Sequence, residues 1–152
     1  MKIDFLNVKF CERCLAKKVV KNVLKELDQP QDIVVSISVV SDEEMKELNS
    51  RTRKVDSVTD VLSFPAQNIV AGEKVDTKNA FVSGGAVFLG DVVVDRSQIE
   101  RQAKEFGVTY RDELVRMVLH SMLHLLGYDH IEANDAEIMH AVELPLLEKL
   151  VK

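Results

Sequence analysis

Apolar and polar residues recur along this chain with two different periods, which predict four strands and five helices. Alternating or β-branched runs predict strands, and apolar residues spaced three or four apart predict helices. The predicted strands are residues 2–8, 33–40, 61–64 and 86–95. The predicted helices are residues 11–27, 96–106, 109–126 and 134–150, with a short helix after the capping box 41–44 that ends near residue 48.

The helix predicted over residues 109–126 is hydrophobic nearly all round, which is typical of a helix at the centre of a core. Nine apolar side chains leave few polar positions in it: Leu114, Val115, Met117, Val118, Leu119, Met122, Leu123, Leu125 and Leu126. The last helix contains Pro145, which we expect to kink or split it. Residues 66–85, between the third and fourth strands, form a long loop.

Three of the four histidines lie within the segment HSMLHLLGYDH, residues 120–130. His120 and His124 are four apart, which places both imidazoles on one face of the helix. Gly127 follows where a helix commonly ends in the left-handed conformation, so the chain can bring His130 back toward the other two. A single buried histidine is usually a core residue, but three unpaired imidazoles are costly to bury without a metal. The spacing predicts a zinc site with three protein ligands and an open fourth position, as in catalytic sites.

The same spacing, H-x-x-x-H-x-x-G-x-x-H, occurs in the metzincin proteases. In those enzymes a glutamate follows the first histidine and acts as the general base. This chain has Ser121 at that position, and a serine cannot act as a base at neutral pH. A peptidase would therefore need another base. His140, on the last helix, lacks such spacing, and we expect a structural role for it.

Length and composition are those of a soluble globular protein. The chain has 152 residues, of which 46% are hydrophobic and 30% charged, and this predicts one domain over residues 1–152. No apolar run approaches the roughly 20 residues that span a bilayer, and the N-terminus lacks a signal-peptide pattern. We therefore expect a cytoplasmic protein that starts at Met1 and has no membrane partner.

The net charge of −5 argues against indiscriminate coating of nucleic acid, but the charge is unevenly distributed. Residues 1–54 carry a net charge of +2, and the remainder carries −7. Within the first helix, four basic residues recur every four positions: Arg13, Lys17, Lys21 and Lys25. We call these four residues the basic stripe. They form either a solvated helix face or a surface that follows RNA phosphates.

Cys11 and Cys14 form a lone C-x-x-C motif. A structural zinc site would need a second pair of ligands. A redox motif would benefit from the helix start, which lowers the pKa of a thiol, but no proline lies between the cysteines. We expect two ordinary helix cysteines.

Two segments match the motifs of one known family. Residues 120–130 match H-G-x-L-H-L-x-G-Y-D-H at every specified position except Ser121. Residues 49–65, NSRTRKVDSVTDVLSFP, match N-x-x-[FY]-R-x-x-D-x-P-T-D-V-L-S-F-P, with Thr52 and Val58 replacing the aromatic residue and the first proline. The chain therefore resembles the YbeY-type bacterial endoribonucleases, which mature ribosomal RNA.

Two further segments are similar to that family, so the resemblance covers residues 49–150 in family order. LGDVVV at 89–94 is similar to its L-G-D-I-x-I strand, and MHAVELPLLEKL at 139–150 is similar to its last helix. The resemblance implies an α+β fold in which a small four-stranded mixed sheet packs against helices. A central buried helix of that fold carries the metal.

The resemblance also implies an activity and partners. It implies a single-strand-specific RNA hydrolase that uses one Zn²⁺ ion held by His120, His124 and His130, with Arg53 as an essential residue. The implied role is maturation of the 16S rRNA 3′ end and ribosome quality control. The implied partners are single-stranded RNA, the small ribosomal subunit, one of its ribosomal proteins and an Era-type GTPase.

Physical chemistry suggests roles for the charged residues near these motifs. Arg53 can clamp a phosphate oxygen on which negative charge develops. Arg51 and Lys54 would enlarge the positive field, or are solvated loop charges. Asp129, next to His130, is a candidate to orient a ligand imidazole.

Two other functions remain open at this stage. One is a zinc metallopeptidase, which has the same ligand spacing. The other is a non-catalytic ribosome-assembly factor whose metal only braces the helix ends.

Overall fold

A computed structural model describes residues 1–78 and 82–152 of the chain. In this part of the chain the strands are β1 (Lys2–Leu6), β2 (Ile33–Val40), β3 (Val61–Pro65), β4 (Val82–Ser83) and β5 (Ala86–Asp95). The helices are α1 (Phe10–Glu26), α2 (Asp42–Arg53), α3 (Arg96–Phe106), α4 (Tyr110–Leu125) and α5 (Ala133–Val151).

Four of the strands form a mixed sheet in the order β1-β2-β5-β3. β1, β2 and β5 are parallel, while β3 is the antiparallel edge strand, with Val61 opposite Val94 and Pro65 opposite Gly90. The two-residue β4 pairs with the start of β5. The predicted α+β fold with a small mixed sheet is thus confirmed.

Helix α4 lies at the centre of the core, as its sequence predicted. It packs against α1, α3, α5, β3 and β5. Four of its large side chains are fully buried: Leu119, Met122, Leu123 and Leu125. Each such side chain stabilises the fold by about 1.5–3 kcal/mol when removed from water, and α4 contacts both the sheet and three other helices.

The sequence misplaced the end of one helix. Helix α2 continues to Arg53, where Lys54 adopts φ 60° in the left-handed region, rather than ending near residue 48. The segment after Leu48 is polar, and its last three residues are exposed, so it carries no apolar period that would reveal a helix. Asn49 is buried there, and its side-chain amide donates to the carbonyl of Ser57 (2.9 Å), which holds the connection to β3 against the helix.

Two prolines are tolerated inside regular elements. Pro65 lies within β3, at an edge where a missing backbone donor breaks no inner ladder. Pro145 does not split α5, which runs through it from Ala133 to Val151. The residue whose carbonyl loses its helical partner there, Ala141, is exposed, so water can donate to that carbonyl.

The predicted loop 66–85 is described except for residues 79–81, which lie outside the described part. Its first half is held by Gln29, a buried residue just after α1. The side-chain amide of Gln29 donates to the carbonyl of Glu73 (3.0 Å) and accepts from the backbone N–H of Val75 (2.9 Å). These two hydrogen bonds hold the loop backbone at Glu73 and Val75 against the side chain of Gln29.

No helix among the described residues is long and apolar enough to cross a membrane.

A buried carboxyl group lies where β5 meets α3. Asp95 is 0% exposed; its Oδ1 accepts from the backbone N–H of Gln98 (3.1 Å) and caps α3, while its Oδ2 has no donor among the described residues. The neighbouring carboxylate of Asp42 is bound by Arg101. Burial, the hydrogen bond with Asp42 and the charge of Asp42 raise the pKa of Asp95 to about 6. A proton on Asp95 turns a repulsive contact with Asp42 into a hydrogen bond.

We expect Asp95→Asn to stabilise the protein more at pH 7.5 than at pH 5. Since the folded-state pKa of Asp95 lies above its ordinary value, stability is lost as pH rises through about 6. The asparagine amide keeps the cap and donates to Asp42 at any pH. Each kcal/mol gained raises the melting temperature of a chain of this size by about 2–4 °C, measurable by calorimetry.

Glu105→Gln, at an exposed position of α3, is the matched control for that change of charge. Its effect on the melting temperature should be the same at both pH values. A gain from Asp95→Asn that is equal at pH 5 and pH 7.5 would contradict the raised pKa of Asp95.

Candidate metal centre

The end of α4 and the turn after it bring three imidazoles together. His120 and His124 lie one turn apart on α4, and Gly127, with φ 90°, reverses the chain so that His130 returns toward them. The ring centroids lie 4.6, 5.3 and 5.0 Å apart for the pairs 120–124, 120–130 and 124–130. One nitrogen of each ring lies within 4.8 Å of the other two, as required of ligands to one metal ion.

Gly127 is required for two reasons. Its positive φ is one that L side chains rarely adopt, and a Cβ there would lie 2.1 Å from the carbonyl oxygen of Ile69. The loop segment around Ile69 therefore packs directly on the turn that carries His130. This contact joins the loop to the candidate metal centre.

Hydrogen bonds fix which ring nitrogens face the centre. Nδ1 of His120 donates to a Glu143 carboxylate oxygen (2.9 Å), and Nδ1 of His124 donates to the Tyr128 carbonyl (2.9 Å). Both partners are acceptors only, so in the neutral rings both protons lie on Nδ1 and both Nε2 atoms carry lone pairs. These two Nε2 atoms lie 3.1 Å apart.

The donor set fits a divalent cation. Two lone pairs at 3.1 Å repel each other unless a cation or a proton lies between them. Tetrahedral zinc with Zn–N bonds of 2.0–2.1 Å places its nitrogens about 3.3 Å apart, close to the observed distance. Burial, followed by the charges of His120 and His130, lowers the pKa of His124 to about 4, so this ring is neutral and able to bind a metal at neutral pH.

The centre opens into a cleft of about 700 Å³. One wall is β3 with the chain that leads into it, another is the loop after β3, and the third is α4 with the turn that follows. The lining residues are Arg53, Thr59, Asp60, Val61, Leu62, Ser63, Pro65, Gln67, Asn68, Ile69, Arg116, Met117, His120, His124, Gly127, Tyr128, Asp129, His130 and Ile131. This volume is ordinary for a ligand site.

Arg53 lies in this cleft with the histidines. It is the last residue of α2, and its guanidinium group donates from Nη2 to the carbonyl of Ser63 (3.0 Å) while lying 5.8 Å over the ring of Phe64. The side chain is therefore anchored on β3 but remains exposed. Its other N–H groups are available for a ligand.

The other predicted cations do not line the cleft. Lys54 turns back and donates to the carbonyl of Arg51 (3.4 Å), and Arg51 lies in a separate shallow depression beside α2. The basic stripe also lies elsewhere, on the exposed face of α1. Of the predicted RNA-binding residues, none shares the cleft with Arg53.

Asp129 lines the cleft, but its hydrogen bond differs from the one we predicted. Its Oδ1 accepts from the backbone N–H of His130 (2.7 Å). It thereby shapes the turn that presents His130, whereas Glu143 and the Tyr128 carbonyl bind the imidazoles of His120 and His124. Asp129 remains a candidate for an indirect role.

Sequence reasoning missed two charged residues at this centre. Glu143, on α5, lay in a segment similar to the family but was assigned no role, because only tertiary packing brings it to His120. Its pKa is raised by burial but lowered overall, chiefly by the His120 hydrogen bond. Arg116 lies four residues before His120 on the same face of α4, and this spacing was a signal for it. Its Nε donates to buried Glu113 (3.1 Å), and the carboxylate partly neutralises the positive charge of the guanidinium group.

Ser121 points away from the cleft. It is fully buried, and its Oγ has no hydrogen-bond partner among the described residues. It does not line the cleft. The residue at the position of the metzincin base is thus separated from the centre, in addition to being unable to act as a base.

Comparison with known proteins gives a consistent result over nearly the whole chain. The family model "Endoribonuclease YbeY" matches residues 5–151. The chain is 34% identical over 153 residues to the endoribonuclease YbeY of Lachnoclostridium phytofermentans, covering 95% of this chain and 92% of that protein. It is 38% identical over 141 residues to the endoribonuclease YbeY of Clostridium botulinum strain Alaska E43, covering 88% and 85%.

A solved structure agrees with the sequence comparison. The solution structure of TM1509 from Thermotoga maritima matches with a TM-score of 0.62 and 28% identity, covering 97% of this chain and 88% of that chain. The family model and the two relatives together span the sheet, the histidine turn and the block that contains Arg53. This chain belongs to the YbeY family of endoribonucleases.

Proposed function

We propose that this protein is a metal-dependent endoribonuclease that hydrolyses phosphodiester bonds of single-stranded RNA. The observation that carries the proposal is the approach of two ring nitrogens, Nε2 of His120 and Nε2 of His124, to 3.1 Å in a cleft that also contains Arg53. His130 is the third ligand. Zn²⁺ is the proposed metal, because three imidazoles with an open fourth position are a donor set typical of catalytic zinc.

Different residues of the cleft have different roles in the proposed hydrolysis. His120, His124 and His130 would hold a divalent ion, which would supply a Lewis acid for a phosphate oxygen and an activated water. Glu143 and the Tyr128 carbonyl keep both Nε2 lone pairs directed into the cleft. Arg53, held at one end by Ser63, directs its remaining N–H groups at the phosphate, where negative charge grows in the transition state.

The proposed substrate is ribosomal RNA. We propose maturation of the 16S rRNA 3′ end and ribosome quality control, in the cytoplasm, with the small ribosomal subunit, one of its proteins and an Era-type GTPase as partners. The support is membership of the YbeY family and a cleft open enough for one strand. No membrane partner is proposed.

A peptidase is disfavoured by the surroundings of Ser121. A metzincin needs a carboxylate beside its first ligand, and this chain has a buried hydroxyl there that does not reach the cleft. A non-catalytic assembly factor would keep the metal but cleave nothing. Digestion of single-stranded RNA and of casein by wild type and His124→Ala separates all three functions: only wild type should degrade RNA, and neither should degrade casein.

The metal prediction concerns stoichiometry. We expect close to one zinc ion per chain, and loss of tight binding in His120→Ala, His124→Ala or His130→Ala because two ligands cannot hold the ion. Elemental analysis after dialysis measures this. His140→Ala, which removes an exposed histidine of α5, is the control and should keep the metal. Full occupancy in His130→Ala would overturn the three-ligand site.

Glu143 should tune the affinity for zinc. We expect Glu143→Ala to weaken zinc binding by about 10–100-fold, since the ring of His120 loses the acceptor that fixes its orientation. Glu143→Gln should lose less, because its amide oxygen can still accept from Nδ1. Titration against a chromogenic chelator measures both. Glu137→Ala, an exposed acid on the same helix, should bind zinc as the wild type does.

Arg53 should act on the reaction rather than on stability. We expect Arg53→Ala to reduce RNA cleavage by about 10²-fold, in the range found when a donor to developing charge is removed. Arg53→Lys should also be impaired, because an ammonium group cannot make a bidentate contact. Cleavage of a labelled single strand measures this. Arg51→Ala, outside the cleft, is the control, and early unfolding of Arg53→Ala would contradict the assigned role.

A further inference from the structure

Within the described part of the chain, no residue of the basic stripe forms a close ion pair with a carboxylate, although the charge of Lys25 acts on neighbouring Glu26. Its four residues, Arg13, Lys17, Lys21 and Lys25, are all exposed on α1. Every ion pair found among the described residues involves other cations. Both acids of that helix, Glu12 and Glu26, are bonded to cations on other helices. In a chain of net charge −5, this face therefore keeps a net positive field.

Aromatic rings accompany these cations. Phe10, the first residue of α1, precedes Arg13 by three positions and Lys17 by seven, so it lies on the same helix face. Its side chain is 83% exposed, so its ring is open to solvent. Phe5, on β1, lies beneath the guanidinium of Arg13 (5.6 Å) and the ammonium of Lys17 (6.0 Å).

These contacts also locate the face relative to the cleft. Phe5 belongs to β1, one edge of the sheet, whereas the cleft is built on β3, the opposite edge. Three strand spacings of about 4.8 Å separate the two edges. No residue of the stripe lines the cleft. A ligand of the stripe is thus bound away from the candidate metal centre.

We propose that Phe10 and the basic stripe form a second RNA-binding site, distinct from the cleft, that holds a single strand by its phosphates and one stacked base. Proteins that bind single strands combine a positively charged track with aromatic rings on which bases stack, and both occur here. From Phe10 to Lys25 the helix rises about 22 Å, long enough to contact several phosphates. The choice of RNA among polyanions rests on the proposed function.

The test is the affinity for RNA measured apart from cleavage. The His124→Ala background removes hydrolysis, and a fluorescein-labelled 20-nucleotide single-stranded RNA is titrated by anisotropy across a salt series. We expect Lys17→Glu with Lys21→Glu to weaken binding and to reduce the salt slope by about 1.4, at about 0.7 for each phosphate that the protein no longer neutralises. Phe10→Ala should weaken binding by about fivefold or more without changing the slope.

The matched control reverses two exposed lysines elsewhere, Lys46 on α2 and Lys104 on α3, with the same change in net charge. It should leave the slope within about 0.5 of the parent value, since neither lysine belongs to the site. Equal slopes for the two double variants, or no effect of Phe10→Ala, would overturn the proposal. So would binding to vesicles of anionic phospholipid in preference to RNA. Circular dichroism confirms that each variant is folded.

The same variants in the otherwise wild-type chain separate this proposal from the proposed function. If the stripe variants bind RNA normally while His124→Ala alone abolishes cleavage, the nuclease stands and the second site is wrong. If the stripe variants lose binding while the wild type cleaves no RNA, the second site stands and the nuclease is wrong. If both proposals hold, stripe variants should cleave long RNA less efficiently but a short oligonucleotide as well as wild type.

Discussion

The approach of the Nε2 atoms of His120 and His124 to 3.1 Å is the constraint on which the candidate centre depends. Each lone pair is directed inward because an acceptor, Glu143 or the Tyr128 carbonyl, holds the proton on the opposite nitrogen. Without a cation between them these atoms repel one another in a partly buried place. The folded chain therefore already holds the arrangement that a metal ion needs, and α5 contributes to it through a single carboxylate.

Close backbone contacts build the cleft around that centre. A Cβ at Gly127 would collide with the carbonyl of Ile69, and a Cβ at Gly90 would lie 2.2 Å from the carbonyl of Phe64. At Gly127 the loop around Ile69 packs directly on the turn that carries His130. At Gly90 the edge strand β3 packs closely against β5. Gln29, just after α1, fixes the loop backbone. Contacts between distant parts of the chain thus hold β3 and the loop after it, which are two walls of the cleft, in place.

Charge is distributed to suit a polyanionic ligand although the chain is acidic. Arg53 is anchored through one nitrogen, and its other N–H groups have no partner among the described residues, whereas Arg116 is bound by buried Glu113. The basic stripe of α1 forms no close ion pair within the described part of the chain, because Glu12 and Glu26 are bound by cations of other helices. The two faces have different chemistry, because one combines a cation with three histidines that could hold a metal ion and the other combines a row of cations with exposed Phe10.

The sequence alone determined the strands of the mixed sheet, the buried character of α4 and the grouping of the three histidines, because these follow from local periods of two, 3.6 and four residues. The second half of α2 was not predictable, since a polar exposed helix carries no apolar period. The partners of the imidazoles, Glu143 and the Tyr128 carbonyl, were decided by the tertiary structure: α5 reaches His120 only by packing on α4, 23 residues further along the chain. Likewise, spacing placed Arg51, Arg53 and Lys54 together, but of these three only Arg53 lines the cleft, where the carbonyl of Ser63 on β3 holds its guanidinium group.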